Sequence, residues 1–164
     1  MKLINILKEI GEASISPLSW EKDIYNGDYS YNFNVDINGQ PEMVEVSIYK
    51  ISEAFKSQPT FPLQYKNIEN IYTIGYSISE DDEQFAKTDA KTLLTILSTI
   101  VDITKDFIND KQPELIILQG SPKNSEDDGS KKGNIYKTFI LKQLKIIPNY
   151  KFDSYNKWLI LIKN

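Results

Sequence analysis

The segment Ser77–Val101 reads SISEDDEQFAKTDAKTLLTILSTIV, and its reading decides the fold. It leaves an apolar strand, crosses a polar loop and enters the most apolar helical pattern in the chain. From Asp89 to Asn109, Leu93, Leu97, Ile100, Thr104 and Phe107 form one stripe, which Leu94, Val101 and Ile108 widen. Only Lys91, Thr95, Asp102, Lys105 and Asp106 are expected to meet solvent. A helix this apolar is expected to lie on a sheet, with Thr88 or Asp89 as its N-cap. The loop before it delivers backbone N–H groups at a helix N-terminus, where anions often bind. Here that loop holds Glu80, Asp81, Asp82 and Glu83 and no glycine. It therefore reads as a solvated acidic loop steadied by the helix dipole.

Working outward, Ile71–Ile78 is the strand that feeds this loop. Upstream, Tyr29–Ile37 (YSYNFNVDI) alternates aromatic and polar residues, Asn38-Gly39 marks a tight turn, and Met43–Ile51 returns. Leu3–Ile10 has the spacing of a short amphipathic helix closed by Gly11. Pro17 and Trp20 fall in the expected link, and Phe55–Asn70 in an expected connecting loop. Downstream, Leu115–Leu118 (LIIL) reads as a buried parallel strand. Gln119–Gly133 is a long polar loop, Asn134–Lys145 a second helix, and Tyr150–Tyr155 and Trp158–Ile162 close the chain. The expected order is α-β-β-β-α-β-α-β-β. It describes one α+β domain over 1–164 with a mixed, mainly antiparallel sheet. Residues 1–28 supply the N-terminal helix and link, and 29–164 the core.

Composition removes many chemistries. The 164 residues contain no cysteine and no histidine, and all 19 basic residues are lysines. Thiolate chemistry, the commonest metal ligand, the usual neutral-pH base and the bidentate arginine fork are therefore absent. A net charge of −4 and a pI near 5.0 argue against general nucleic-acid binding, which needs a positive field. No apolar run approaches the roughly 18 residues of a membrane span, and the start lacks a signal peptide's apolar core. The chain reads as soluble and made for the inside of a cell.

Few motifs compete for a function. Asp127-Asp128-Gly129 lacks the alternating spacing of a calcium loop. Lys123, Lys131 and Lys132 are offset by Glu126, Asp127 and Asp128. The aromatics Tyr25, Tyr29, Tyr31, Phe33 and Tyr49 read as one core face plus exposed tyrosines, whose best functional use is a partner surface.

The strand and helix order from Tyr29 onward resembles the core of the GNAT N-acetyltransferase superfamily. In the second helix Ile135-Tyr136 stands where those enzymes commonly have Leu-Tyr with the tyrosine as proton donor. Asn149-Tyr150-Lys151-Phe152 resembles their Gly-Phe or Gly-Tyr step into the next strand. The whole pattern also resembles a group of tailed-bacteriophage proteins with a GNAT-like C-terminal half. The matching pieces are the opening helix with its proline and tryptophan link, FAKTD, ILSTIVDITKDFI and IYKTFILKQL.

The family's coenzyme A segment, Gln/Arg-x-x-Gly-x-Gly/Ala, is replaced here by the acidic loop. The resemblance therefore implies a non-catalytic bacteriophage protein with no cofactor and no metal. Its partners would be other proteins, either phage structural proteins or copies of itself, in the virion or the cytoplasm of the infected bacterial host. The alternative it implies is a divergent acyl-CoA-dependent N-acyltransferase, with Tyr136 as acid and Lys87 and Lys91 at the cofactor. One outcome follows from composition alone. Limited proteolysis is expected to cut first within Gln119–Gly133, a stretch rich in Ser, Asp, Lys and Gly; first cuts elsewhere would contradict the loop assignment.

Overall fold

A computed structural model describes residues 16–78, 88–119, 142–143, 147–155 and 158–164. The chain is α+β, built on one seven-stranded sheet in the order β1-β2-β3-β4-β5-β7-β6. The strands are β1 (Glu21–Tyr25), β2 (Asp28–Ile37), β3 (Gln40–Lys50), β4 (Ile71–Ile78), β5 (Leu115–Gln119), β6 (Tyr150–Tyr155) and β7 (Trp158–Lys163). Every neighbouring pair is antiparallel except β4 and β5. That exception has a simple cause: the long helix Ala90–Lys111 returns the chain to the start of the sheet between them.

Two Asn-Gly turns fold the first three strands on one another. Asn38 and Gly39 have φ of 54° and 81°, and Asn26 and Gly27 have φ of 52° and 87°. Positive φ at both central residues gives the hairpin turn whose twist matches a β-ribbon, and Asn-Gly tolerates it best. The first turn adds β1, which lies in the segment expected to be a link. Phe55–Asn70 also departs from a plain loop. It holds part of a one-turn helix, Glu53–Lys56 capped by Ser52, and a 3-10 turn at Leu63–Tyr65. The expected helices at Leu3–Ile10 and Asn134–Lys145 lie outside the described residues, apart from helical residues 142–143.

The long helix starts where its sequence says it should. The Asp89 side chain accepts the Thr92 N–H at 2.8 Å. It stops at Gln112, whose left-handed backbone (φ 50°) lets its N–H reach the Ile108 carbonyl, and Pro113 blocks continuation. Between these ends the helix is buried more completely than the stripe implied: Ile96 and Ile103 are also sealed from water. Thr99 and Thr104 are buried too, and their hydroxyls donate to the carbonyls of Thr95 and Ile100.

The helix packs on the face of the sheet formed by Tyr29, Tyr31, Phe33, Val44, Val46, Ile48 and Ile74. The other face carries a second, smaller core of Ile51, Phe61, Tyr65, Ile71, Leu115, Ile117 and Ile160. The segment between β3 and β4 covers this core, and Phe55 stacks on Trp158 at 5.8 Å. β5 and β7 are thus apolar on both sides, which explains why LIIL and WLILI show no alternation. No helix among the described residues is long and apolar enough to cross a membrane.

Phe107 is central to the larger core, meeting Tyr29 and Tyr72 edge-on at 5.2 and 5.0 Å with no exposed surface. Phe107→Ala is expected to cost about 3–5 kcal/mol in urea unfolding, whereas Leu63→Ala, at a residue 77% exposed, should cost under about 0.5 kcal/mol. Equal costs would contradict this packing.

Candidate functional site

Of the three residues named for an acyltransferase, Lys91 alone is described. Tyr136, Lys87 and the Glu80–Glu83 run lie outside the described residues. Lys91 is exposed in the first turn of the long helix. Beside it the Asp89 carboxylate already occupies one of the free N–H groups at that helix end. β4 feeds this end and is longer than its parallel neighbour. Its pairing with β5 stops at Ile74–Leu118, while its pairing with β3 continues to Ile78. The end of a parallel pair beside a helix N-terminus is where ligands enter many mixed sheets.

A second constellation joins the β1 edge to the helix, and sequence reasoning did not foresee it. Asp102, Asp106 and Asp110 recur every four residues, one turn apart on one helix flank. Trp20 donates its indole N–H to Asp102 at 3.0 Å, and Tyr31 donates to Asp106 at 3.0 Å. Tyr29 donates to Asp110 at 3.2 Å. Lys22 lies 3.0 Å from Asp106 and 3.6 Å from Asp110, and sits over the rings of Tyr29 and Tyr31 at 5.5 and 5.6 Å. Asp102 and Asp106, expected to be solvated, are half-buried partners instead. The four-residue spacing was the available signal; its partners come from the first hairpin and its lead-in, about 80 positions earlier.

These contacts hold the edge of the sheet to the helix, and they make poor acid–base equipment. Burial, reinforced by the bond to Asp106, pushes the Tyr31 phenol up. Burial and a 2.5 Å bond to Asp153 push up Tyr65, and burial pushes up Tyr150, which donates to the Pro113 carbonyl at 2.6 Å. The bond from the Thr92 N–H holds the Asp89 carboxyl below the ordinary aspartate range. Each displaced group moves away from neutrality, opposite to what proton transfer near pH 7 requires. No cluster of acids able to hold a metal ion occurs among the described residues.

A third region is the part of the second face that the β3–β4 segment leaves uncovered. Pairing places Glu21 and Asp23 of β1, Ser30 and Asn32 of β2, Glu45 and Ser47 of β3, and Gly75 and Ser77 of β4 on this face. Glu45 is its hub, accepting from Ser30 at 3.2 Å and Ser47 at 3.3 Å. A side chain at Gly75 would meet nothing within 4 Å. The hairpin aromatics divide as their alternation implies. Tyr29, Tyr31 and Phe33 are core, whereas Tyr25 and Tyr49 are 77% and 41% exposed.

Compared with known proteins, the chain matches no family model, no curated protein and no solved structure.

The Asp89 cap gives a pH-dependent outcome. Its carboxylate titrates below the unfolded value of about 3.9, so its contribution is complete above that value and is lost as pH falls through the lower, folded one. Asp89→Ala should therefore cost about 1 kcal/mol at pH 7, with the gap to wild type closing in urea curves as the pH is lowered beneath the unfolded aspartate value. A gap unchanged by acid would exclude a charged cap.

Proposed function

We propose that the chain is a non-catalytic bacteriophage protein with a GNAT-like fold that acts through protein–protein contacts. Its setting is the virion, as a minor structural or assembly component, or the host cytoplasm, as a host-directed factor. The observation that carries the contact reading is the half of the second sheet face that no other described residue covers. There Met43 (52% exposed) and Tyr49 stand outward on β3, and Tyr25 stands on the same face of β1, across β2 from the Tyr49 end of β3. A large apolar or aromatic group costs free energy in water, and tyrosine and methionine are enriched where proteins meet.

Two further features support the family resemblance. The described elements supply four antiparallel strands, the last three of them in the expected places, then a long helix, a parallel strand and a closing strand pair; the second helix of the expected order lies outside the described residues, apart from residues 142–143. Asn149, standing where the family has glycine, takes a left-handed backbone (φ 66°) that glycine also favours. The displaced titratable groups, all moved away from neutrality, support the absence of catalysis.

The unequal lengths of β4 and β5 favour a second reading, the acyl-CoA-dependent N-acyltransferase with Lys87 and Lys91 at the cofactor and Tyr136 as acid. Against it, an aspartate caps the helix and four carboxylates precede it in sequence, all opposing a multiply charged anion. A melting curve separates the two. A ligand present at about 100 times its dissociation constant stabilises a fold by about 2.7 kcal/mol, a readily seen shift. Millimolar acetyl-CoA is expected to leave the melting temperature unchanged, and Tyr136→Phe to leave that result unchanged. A clear shift, abolished by changes within Gln84–Lys91, would overturn the non-catalytic reading.

A further inference from the structure

We infer that the uncovered sheet face docks a lysine- and arginine-rich polypeptide segment. This rests on the contact reading above and names the partner's chemistry. Strand alternation places Glu21, Asp23, Asp28, Asp36 and Glu45 on this one face. No residue that β1–β4 place there is a lysine, although the chain has 19. The face alone is thus more negative than the entire chain, whose formal charge is −4.

The carboxylates are spread along three strands, an arrangement that suits an extended partner carrying several cations better than a single ion. Phosphate-bearing partners such as nucleic acids would be repelled. Tyr25, Tyr49 and Met43 stand among the acids and supply apolar contact and ring faces for ammonium or guanidinium groups. The chain already uses that chemistry internally, with Lys22 over Tyr29 and Tyr31 and Lys111 over Tyr29. At the inner margin Thr73, paired with Tyr49, is fully buried, and its hydroxyl has no hydrogen-bond partner among the described residues. Gly75 next to it leaves open space above the sheet. The middle of the face is therefore polar, with open space above Gly75, and aromatic and acidic side chains stand around it.

The test is fluorescence anisotropy with the full chain and a labelled peptide of about ten residues alternating lysine and leucine, long enough to cross the face. A glutamate–leucine peptide of the same length is the control. The lysine peptide is expected to bind, more weakly as salt rises, and the glutamate peptide not to bind. Glu21→Lys should weaken binding about fivefold or more, while Glu69→Lys, the same charge change at an exposed site off the face, should change it less than about twofold. Tyr49→Ala should weaken it and Leu63→Ala should not. No binding of the lysine peptide, or equal losses in the Glu21 and Glu69 variants, overturns the inference and leaves the contact reading standing. Dimers in light scattering that Tyr49→Ala dissolves would assign the face to a second copy and likewise overturn it. An acetyl-CoA melting shift would remove the non-catalytic reading, whereas lysine-peptide binding confined to this face would still support the inference.

Discussion

The long helix must bury almost its whole circumference, and the rest of the chain is arranged around that requirement. Phe107 sits against the rings of Tyr29 and Tyr72, so the helix is fixed to strands on both sides of β3 at once. Aromatic pairs of this kind add to the area they bury. On the flank where apolar packing ends, Asp102, Asp106 and Asp110 take over and bind Trp20, Tyr31, Lys22 and Tyr29. Each of these carboxylates has its main partners on the first hairpin or its lead-in. The edge strand β1, exposed at each of its residues, is held by this polar seam in addition to its pairing with β2.

Among the described residues the other face is covered only in part. The segment between β3 and β4 spans only the half of the second face near Ile71, Leu115 and Ile160, where Phe55, Phe61 and Trp158 close a small core. Among the described residues nothing comparable lies over β1–β3, and the strands turn polar there: Ser30, Asn32 and Glu45 are linked by hydrogen bonds along the surface. The same physical economy that makes this half solvent-tolerant gives it a single sign of charge. Tyr25, Met43 and Tyr49 on that surface serve no core.

The chemical inventory follows from the same architecture. With neither histidine nor cysteine, proton transfer would fall to carboxylates, tyrosines and lysines. In the described residues the tyrosines of the core, Tyr29, Tyr31, Tyr65 and Tyr150, are engaged as hydrogen-bond donors that hold elements together. Burial holds the phenols of Tyr31, Tyr65 and Tyr150 in their neutral form, which favours structure over chemistry.

Much of this was legible along the chain. The helix from Asp89, the Asn38-Gly39 hairpin, the alternation in β2 and the fully apolar β5 and β7 are local signals, fixed by backbone sterics and by the periods of helix and strand. That the hairpin aromatics split into a core face and exposed tyrosines also followed from alternation; the structure assigns Tyr29, Tyr31 and Phe33 to the core and Tyr25 and Tyr49 to the surface. β1 was readable in principle, because Asn26-Gly27 repeats the turn signal of Asn38-Gly39, but its residues EKDIY carry no apolar pattern of their own. Tertiary structure alone decided the rest. The partners of Asp102 and Asp106 lie far away in sequence, so their burial could not be read from a helical wheel that shows them as polar. Likewise, a strand pattern states that two faces differ but not which half of a face will be covered. Among the described residues the path of the chain between β3 and β4 determines that, and with it which carboxylates stay exposed.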